Sequence, residues 1–480
     1  MYITMIKLHR LFLMLVSVAI VKAHKHSDKP MVLLISFDGF RWDYLLKHNL
    51  TNFDSLKKNG THAEYIKNAF STVTFPNHWT LVTGHYEESH GITQNMMFDP
   101  VLNKTFNYTH RDAFTIEWFG QNKLVEPIWT TNQKAGDGRQ SAAEWLGSNI
   151  VFNDQKIISI DYNHTKPNRK LIDEFVALFT AEQNPINFGA MYFDEPDHTG
   201  HLYGPYSKQM ATKLKELDED LGYLINQLKS HHLFDKVNMI ITSDHGMEAI
   251  SEKTVIFLDE HVNTSLFDAY GSRACYSIFV KNASHTNFLV EELRNIRNVD
   301  VYRKNEIPDK LRYKANSRIG DIVIVAHLGY AIYLKKIPID WNLTNGDHGY
   351  YNNETSMFPI FIANGPAFKK NYKAEVFNNV DLYPLMCFIL GVQAAFNNGS
   401  LENVITMLTF EVSKQSLGQS FIFVLLLLIP AALMAMTGLF VYLTMKNTPR
   451  GVIMTEYDNI STMNDIDDDQ DVTNDRTRLI

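Results

Sequence analysis

The chain has 480 residues, of which 45% are hydrophobic, and its 45 basic and 53 acidic side chains give a formal net charge of −8. This mildly acidic balance, without clustered Lys and Arg, lacks the electrostatic footprint of a nucleic-acid-binding surface, so we expect no polymeric DNA or RNA as a partner. The length is sufficient for one large hydrophobic core beside any targeting segments.

The N-terminal segment has the pattern of a secretory signal peptide. Lys7 and Arg10 make its start basic, residues 11–21 are apolar, and Ala23 supplies a small residue at the cleavage site. Such an apolar core is too short to span a membrane and is removed from the mature protein. We therefore predict that residues 1–23 are cleaved.

A second hydrophobic segment lies near the C-terminus. Residues 421–445 are almost wholly apolar, and a helix of this length crosses a hydrocarbon core of about 30 Å. Lys446 and Arg450 follow it, and basic residues favour the cytoplasmic side. These features predict a single-pass type I plasma-membrane protein with its main domain outside. The predicted segments are a signal peptide (1–23), an extracellular domain (24–400), a stalk (401–419), a transmembrane helix (420–445) and a cytoplasmic tail (446–480).

Ten Asn-x-Ser/Thr sequons lie between the two hydrophobic ends, a density typical of a glycosylated exterior domain. Disulfides are permitted in that compartment. Only Cys275 and Cys387 are available, and the sequence leaves their pairing open. The candidate glycosylation sites are Asn49, Asn59, Asn103, Asn107, Asn163, Asn263, Asn282, Asn342, Asn353 and Asn398.

Three continuous apolar runs, at 32–37, 186–193 and 237–242, predict strands that are covered on both faces. Helical periodicity recurs between and after the first two, at 170–180 and 210–228. Alternating strands and helices predict an α/β sheet.

Polar residues follow each predicted strand. Asp38, Asp197 and Asp244 fall beyond the carboxyl ends, which is where open α/β sheets bind their ligands. The segment from Phe288 to Leu334 is interpreted as a smaller insert or a continuation of the domain.

Several loops combine residues suited to a metal site. Thr72 and Thr74 lie in Thr-Val-Thr-Phe-Pro-Asn-His, and a Thr hydroxyl becomes a useful nucleophile only when something such as a metal lowers its pKa. Asp and His also recur four residues apart, and this spacing does not choose between two pairs. The pairs are Asp194/His198 and Asp197/His201.

Further candidate ligands occur later in the chain. Asp244 and His245 follow a predicted strand, and His348 stands between glycines in Gly-Asp-His-Gly. Asp and His without Cys suit zinc in an open, catalytic site better than in a closed structural one. Two such ions about 3.5–4 Å apart would clamp the attacking and leaving oxygens of a phosphoryl displacement.

Five phrases follow one another along the chain: Leu-Ile-Ser-Phe-Asp38-Gly-Phe-Arg, Thr74-Phe-Pro-Asn-His, Glu-Pro-Asp197-His-Thr-Gly-His201, Ile-Thr-Ser-Asp244-His245-Gly-Met and Gly-Asp-His348-Gly-Tyr. Together they resemble the ectonucleotide pyrophosphatase/phosphodiesterase family of the alkaline phosphatase superfamily, and most of all its fourth and fifth members. The likeness covers roughly residues 30–400. It implies an α/β fold with an alkaline-phosphatase-like mixed sheet and helices on both faces, to which the sequence adds one C-terminal transmembrane helix.

The resemblance also implies a zinc-dependent hydrolase. It would cleave phosphodiester or pyrophosphate bonds in NAD, dinucleoside polyphosphates or ADP-like substrates, and release a nucleoside 5′-monophosphate through a phosphorylated Thr74. Asn95 would steady a phosphate oxygen, and Phe75 and Tyr162 would stack on the base. The implied ligands are Asp38, Thr74, Asp244 and His245 for one zinc ion, and Asp197, His201 and His348 for the second. By the same resemblance Asp194 and His198 are bystanders, and Thr72 is rejected as the nucleophile.

Three departures from the family pattern bear on the substrate. Val73 and Met96 stand where nucleotide-cleaving relatives often have Lys, so we expect weaker handling of highly charged substrates such as ATP. Asn149 replaces a frequent Asp, which leaves nucleobase selection open. The alternatives are a choline-phosphodiester phosphodiesterase and a catalytically weak cell-surface receptor on the same fold.

Overall fold

A mixed eight-stranded β-sheet forms the centre of residues 26–409, the part of the chain that the computed structural model describes. The described strands are β1 (Met31–Phe37), β2 (Thr61–Ala63), β3 (Met96–Asp99), β4 (Lys104–Asn107), β5 (Ser141–Glu144), β6 (Ile158–Ser159), β7 (Phe188–Phe193), β8 (Val237–Thr242), β9 (Glu248–Ala249), β10 (Val255–Phe257), β11 (Phe267–Ser272), β12 (Cys275–Val280), β13 (Val299–Arg303), β14 (Ile322–Ala326), β15 (Ala331–Tyr333), β16 (Gly346–Asp347), β17 (Phe361–Asn364) and β18 (Tyr372–Ala374). The large sheet has the order β18-β2-β17-β8-β1-β7-β5-β6. Its central strand β1 pairs in parallel with β7 and β8, whereas β17 runs antiparallel to β8.

Helices cover both faces of this sheet. The described helices are α1 (Tyr44–Lys47), α2 (Thr51–Asn59), α3 (Thr74–Thr83), α4 (Glu87–His90), α5 (Ile116–Phe119), α6 (Ile128–Lys134), α7 (Asn168–Phe179), α8 (Asp197–Tyr203), α9 (Lys208–Ser230), α10 (Thr286–Arg294) and α11 (Leu382–Leu390). Successive side chains of a strand point to opposite faces. Val32 and Leu34 therefore join a core with α3, α6 and α11, whereas Leu33 and Ile35 join a core with α2, α7 and α9.

The predicted α/β fold, with helices on both faces of a mixed sheet, is confirmed. The predicted strands at 32–37 and 237–242 agree with β1 and β8 to within one residue, and the strand predicted at 186–193 begins two residues before β7. The two predicted helices correspond to α7 and α9 to within two residues at each end. The agreement is good because the strands are buried on both faces, which produces an unbroken apolar run. Each helix buries one face, which repeats apolar residues every three or four positions.

A smaller antiparallel sheet, of order β11-β12-β14-β13, packs with α10 around a core of its own. The predicted insert, from Phe288 to Leu334, is wrong at its start, because this sheet begins with β11 at Phe267. Only the first residue of β11 is buried, so the strand lacks the continuous apolar signal that revealed β1.

The last described residues pack on the main domain. Val404, Met407 and Leu408 are buried, and the Lys369 amide donates to the Met407 carbonyl oxygen at 2.9 Å. Residues 401–409, which the sequence assigned to a stalk, therefore belong to the packed domain.

The predicted single-pass plasma-membrane location requires correction. Between residues 26 and 409 we find no helix with the length and apolarity needed to cross a bilayer, and this finding contradicts the predicted location. The longest helix in that range, α9, exposes charged side chains such as Lys215 and Glu216. The remaining predicted segments lie outside the described residues, namely 1–23, 410–419, 420–445 and 446–480.

Both cysteines, Cys275 and Cys387, are buried and free, so they do not pair with each other. Nine of the ten sequon asparagines are exposed, and Asn107 is half-buried. The sequons therefore lie at the surface, while their glycosylation stays a prediction.

We expect Phe37→Ala to reduce the free energy of unfolding by about 3–5 kcal/mol, because large-to-small changes leave a cavity in a packed core. Phe37 is 2% exposed and its ring stacks on Phe193 with centroids 5.0 Å apart. Urea unfolding measures the effect, with Phe288→Ala as the control because Phe288 is 51% exposed. Equal losses from the two substitutions would contradict the assignment of this core.

Candidate active site

Three aspartates meet where the central parallel strands end. Asp38 directly follows β1, Asp244 follows β8 by one intervening residue, and Asp197 begins α8 after β7. Parallel strands bring their carboxyl ends to one edge of the sheet, and the Asp197 amide donates to the Asp38 carbonyl oxygen at 3.0 Å. Gly39 permits this approach, since its φ is +68° and a Cβ there would lie 2.9 Å from the Asp197 Cα.

The first candidate ligand group consists of Asp38, Asp244 and His245, which are all buried. His245 Nε2 lies 3.4 Å from Asp38 Oδ1 and 3.0 Å from Asp244 Oδ2. Thr74 Oγ1 lies 3.2 Å from the same nitrogen. All four residues that the sequence assigned to the first ion therefore converge.

The second candidate group consists of Asp197, His245 and His348. His348 Nε2 lies 3.5 Å from Asp197 Oδ1 and 3.1 Å from His201 Nε2. His201 Nε2 in turn lies 3.4 Å from Asp197 Oδ2. The rings of His245 and His348 stack with centroids 3.6 Å apart. The two groups therefore adjoin, and His245 lies within reach of both.

Backbone carbonyl groups orient all three histidine rings. A carbonyl oxygen accepts a hydrogen bond at 2.9 Å from the Nδ1 atom of each, namely from His245 to Gly246, from His348 to Thr72 and from His201 to Gly346. The proton on Nδ1 leaves Nε2 as the free ligand atom, which is the usual arrangement around a metal-binding histidine.

Thr72 has a structural position beside the site. Its hydroxyl donates to the Tyr350 carbonyl oxygen at 3.0 Å and accepts from the Gly349 amide at 3.0 Å. These bonds hold the loop before Thr74 against the loop that carries His348. The geometry thus leaves the Thr74 hydroxyl, rather than that of Thr72, among the candidate ligands.

The electrostatics of the site favour a bound cation. Burial, with repulsion from Asp244 and Asp197, raises the pKa of Asp38 well above its usual range. Burial raises the pKa of Asp197 as well. Asp38 Oδ1, Asp197 Oδ1 and Asp244 Oδ2 are buried yet accept no hydrogen bond from the described residues. Buried carboxylates without partners are costly, and Asp and His oxygens and nitrogens are donors that zinc accepts, so the residues present fit a metal centre.

Two supporting residues were missed by the sequence analysis. The Tyr192 hydroxyl donates to Asp38 Oδ2 at 2.6 Å, and His78 Nδ1 lies 3.2 Å from Asp244 Oδ2. His78 and His245 together hold the pKa of Asp244 well below its usual range, although burial opposes them. Tyr192 lies in the apolar run of β7, where a tyrosine reads as core packing. His78 ends the Thr-Phe-Pro-Asn-His phrase, and its place in that phrase could have marked it as a site residue.

Thr74 is the first residue of α3, and the extended Val73 precedes it. Unpaired amides and the helix dipole make such a helix start favourable for anions. The Phe75 amide donates to Asn95 Oδ1 at 2.9 Å, which fixes the Asn95 side chain and leaves its amino group to donate elsewhere. The predicted nucleophile and phosphate-contacting amide are therefore brought together.

A cavity of about 540 Å³ opens in front of these residues. Phe75 and Tyr162 both line it, as predicted, together with the aromatic residues Tyr108, Phe114 and Trp145, which the sequence analysis missed. No lysine or arginine occurs among the described residues that line it.

The bystander pair also belongs to the cavity wall. Asp194 and His198 line the cavity without joining either candidate ligand group. The Tyr162 hydroxyl donates to Asp194 Oδ2 at 2.7 Å, so Asp194 holds a predicted substrate-contacting ring. Its role is thus more than that of a bystander, even though it does not replace Asp197 in the ligand group.

We expect Asp38→Asn to stabilise the metal-free protein at neutral pH. An unfolded Asp ionises near pH 3.9, whereas the raised pKa keeps Asp38 protonated to higher pH in the folded state. Unfolding then releases a proton, so Asp38 lowers stability as the pH rises above about 4. In thermal unfolding of chelator-treated protein, Asp38→Asn should have a higher melting temperature than the wild type at pH 7, and the difference should disappear at pH 3. A benefit independent of pH would contradict this origin.

Comparison with known proteins agrees with the geometry of the site. Residues 32–351 match the family described as Type I phosphodiesterase / nucleotide pyrophosphatase. Human ectonucleotide pyrophosphatase/phosphodiesterase family member 5 is 39% identical over 378 residues, covering 78% of each chain. The Xenopus laevis bis(5′-adenosyl)-triphosphatase is 41% identical over 381 residues, covering 79% of this chain and 81% of that protein.

Solved structures of relatives have the same fold. An inactive variant of murine ectonucleotide pyrophosphatase/phosphodiesterase 5, in complex with AMP, superposes with a TM-score of 0.75 at 40% identity, covering 79% of this chain and 100% of that one. The human protein has the same TM-score at 38% identity. The chain described here is therefore a member of the nucleotide pyrophosphatase/phosphodiesterase family of hydrolases.

Proposed function

We propose that the protein hydrolyses phosphodiester or pyrophosphate bonds in small nucleotides and releases a nucleoside 5′-monophosphate, with Thr74 as the nucleophile. The observation that carries this proposal is the position of the Thr74 hydroxyl. It lies at the start of α3, 3.2 Å from His245 Nε2, where the two candidate ligand groups adjoin and the cavity opens.

We assign the ligands of two zinc ions from this arrangement. Asp38, Thr74, Asp244 and His245 would hold one ion, and Asp197, His201 and His348 would hold the second. The carboxylate oxygens that accept no hydrogen bond support both sets. Asp38, Asp244 and His245 form one compact group and Asp197, His245 and His348 another, and His201 Nε2 lies 3.4 Å from Asp197 Oδ2. When bound, two such ions lower the pKa of a coordinated hydroxyl and stabilise negative charge on the phosphoryl group.

The chain's own residues then account for the two steps. Thr74 Oγ1 attacks phosphorus and loses its proton to solvent, while the bond from phosphorus to the leaving oxygen breaks. Water next attacks the phosphorus of the nucleotidyl ester formed on Thr74 and loses a proton. The bond from phosphorus to Oγ1 breaks, which restores the Thr74 hydroxyl and releases the nucleoside 5′-monophosphate. The Asn95 amino group donates to a phosphoryl oxygen, a role of the oxyanion-hole type, and the start of α3 supports the same charge.

Nucleoside binding is assigned to the aromatic part of the cavity. We propose that the base stacks between Phe75 and Tyr162. Phe75 is held from behind by Phe114, at a centroid distance of 5.5 Å, and Tyr162 by its bond to Asp194. The AMP bound to the murine relative supports a nucleotide in the corresponding cavity.

The charge of the cavity suggests an order of substrates. Its described wall contains Asp161 and Asp194 and no lysine or arginine, so extra phosphate charge finds no cationic side chain there. We therefore propose NAD, dinucleoside polyphosphates and ADP ahead of ATP. The bis(5′-adenosyl)-triphosphatase among the relatives makes diadenosine triphosphate the first substrate to test.

A substrate panel tests the function as a whole. The purified protein would be assayed with NAD, diadenosine triphosphate, ADP, ATP and a choline phosphodiester, with and without a chelator. Chelator-sensitive release of AMP supports the proposal and ranks the nucleotides. Cleavage of the choline ester alone would assign the protein to that activity, and no turnover across the panel would favour a binding protein on this fold.

We expect Thr74→Ala to reduce kcat/KM by about 10⁴-fold or more, because removal of a nucleophile eliminates the covalent route. Zinc content and circular dichroism check the variant, and mass spectrometry of the wild type should identify a trapped nucleotidyl group on Thr74. Thr74→Ser is the matched control, since it retains a hydroxyl at this position and should retain measurable turnover. Substantial activity in Thr74→Ala would require a different nucleophile.

We expect Tyr162→Ala to raise KM for nucleotides by about tenfold or more, because stacking contributes about 1–3 kcal/mol per base. Hydrolysis of methyl p-nitrophenyl phosphate, which has no nucleobase, should change much less. Tyr162→Phe is the control, because it keeps the ring and removes the hydroxyl that donates to Asp194. An equal effect on both substrates would show that Tyr162 acts on the phosphoryl centre or on folding instead.

A further inference from the structure

Arg273 reaches from the smaller sheet to the loop that carries His348. It lies in the turn between β11 and β12, and its side chain is only 25% exposed. Its Nε atom lies 2.8 Å from Asp347 Oδ2, and one terminal nitrogen lies 3.5 Å from the Gly346 carbonyl oxygen. The other terminal nitrogen donates to the Tyr333 hydroxyl at 3.1 Å.

Two of the groups that Arg273 contacts, the Asp347 carboxylate and the Gly346 carbonyl, also orient two candidate ligands. Asp347 Oδ1 accepts the amide proton of His348 at 2.9 Å. The Gly346 carbonyl oxygen accepts the Nδ1 proton of His201 at 2.9 Å. A single planar guanidinium thus contacts the acceptors that hold both histidines.

The loop around these acceptors has little freedom to adopt another position. Gly346 and Asp347 pair with Ala249 and Glu248 in the β9–β16 ribbon. A Cβ on Gly346 would lie 2.3 Å from the carbonyl oxygen of Gly200 in α8. Small movements of this loop would therefore shift the Gly346 carbonyl oxygen, which orients His201, and Asp347 Oδ1, which orients His348, relative to α8.

Arg273 also supplies the positive charge that offsets the cost of burying the Asp347 carboxylate. Asp347 is 3% exposed, and a buried carboxylate that loses its partner is strongly destabilised. Asp347 is hydrogen-bonded to the amide of His348, one of the candidate ligands. Removal of the guanidinium would leave Asp347 unpaired beside that ligand and would favour its movement away.

We propose that Arg273 is a positioning residue for the group Asp197, His201 and His348, holding the 346–348 loop so that the donor atoms of this group converge on one metal ion. Arg273 does not line the catalytic cavity, so it acts through Asp347 and Gly346 rather than on the substrate. The inference rests on the proposed function, because it presumes that this group binds metal.

Zinc stoichiometry and affinity test the role directly. Wild-type protein, Arg273→Met and Tyr333→Phe would be stripped, refilled and titrated against a fluorescent zinc chelator. We expect two sites in the wild type, and in Arg273→Met one of them weakened by about 10–100-fold, the range typical of lost outer-shell contacts. The other site should change much less. Tyr333→Phe removes the second partner of Arg273 but not Asp347, and should match the wild type.

The outcomes separate the two proposals. If the wild-type protein binds no zinc, the result contradicts the proposed function and therefore also contradicts this inference. Two sites in the wild type with unchanged affinities in Arg273→Met would overturn the role of Arg273 alone. A purely structural role would lower the melting temperature of the stripped protein without weakening one site selectively. If Arg273→Met does not fold, Arg273→Lys carries the test, since it retains one charge but not the fork, and an unchanged second site in it would likewise overturn the proposal.

Discussion

Mutual repulsion among three carboxylates, two of them buried and that of Asp197 half-buried, is the constraint on which the rest of the site depends. Strands β7, β1 and β8 run in parallel, so the loops that carry Asp197, Asp38 and Asp244 meet at one edge of the sheet. Like charges out of water are unfavourable unless positive charge or donors compensate them. His245 Nε2 lies 3.4 Å from Asp38 Oδ1 and 3.0 Å from Asp244 Oδ2. These two oxygens and Asp197 Oδ1 accept no hydrogen bond from the described residues and define where a cation belongs.

The residues around the carboxylates hold the site in position. The backbone carbonyl groups that accept a hydrogen bond from each Nδ1 atom keep the histidine rings correctly turned, and Tyr192 fixes Asp38. The helix start at Thr74 adds a favourable dipole on the open side. Fixed dipoles of this kind cost no rearrangement when charge develops during a reaction, which is why preorganised sites are effective catalysts.

The sequence predicted the three central parallel strands and the residues that stand in recognisable phrases, but it missed β14, which is equally apolar and buried. Strands β1 and β8 were predicted to within one residue because their apolar runs are unbroken, whereas β11 was missed because most of it is half-exposed. The four-residue spacing of Asp and His left two pairs open, and the family resemblance favoured Asp197 and His201. Helix α8 begins at Asp197, which places Asp197 and His201 one helical turn apart and leaves Asp194 before the helix.

Contacts between distant segments were beyond prediction from one sequence. Arg273 is separated from Asp347 by more than seventy residues, and the sequence around neither residue predicts that the two form an ion pair. Tyr108 and Phe114 likewise become cavity residues only through tertiary packing. Physical patterns along the chain report local burial and local turns, but they do not report which surfaces meet.

The two unpaired cysteines have a consequence for how the dynamics of the protein can be observed. Burial raises the pKa of the Cys275 thiol to about 12 and raises that of Cys387 as well, so neither exists as a reactive thiolate in the folded state. Alkylation of either thiol therefore requires an opening fluctuation that admits the reagent. Cys275 lies in β12 of the smaller sheet, and Cys387 lies in α11 against the large sheet. The labelling rate of Cys275 would therefore report the opening of the region around the smaller sheet, and that of Cys387 the opening of the region around α11.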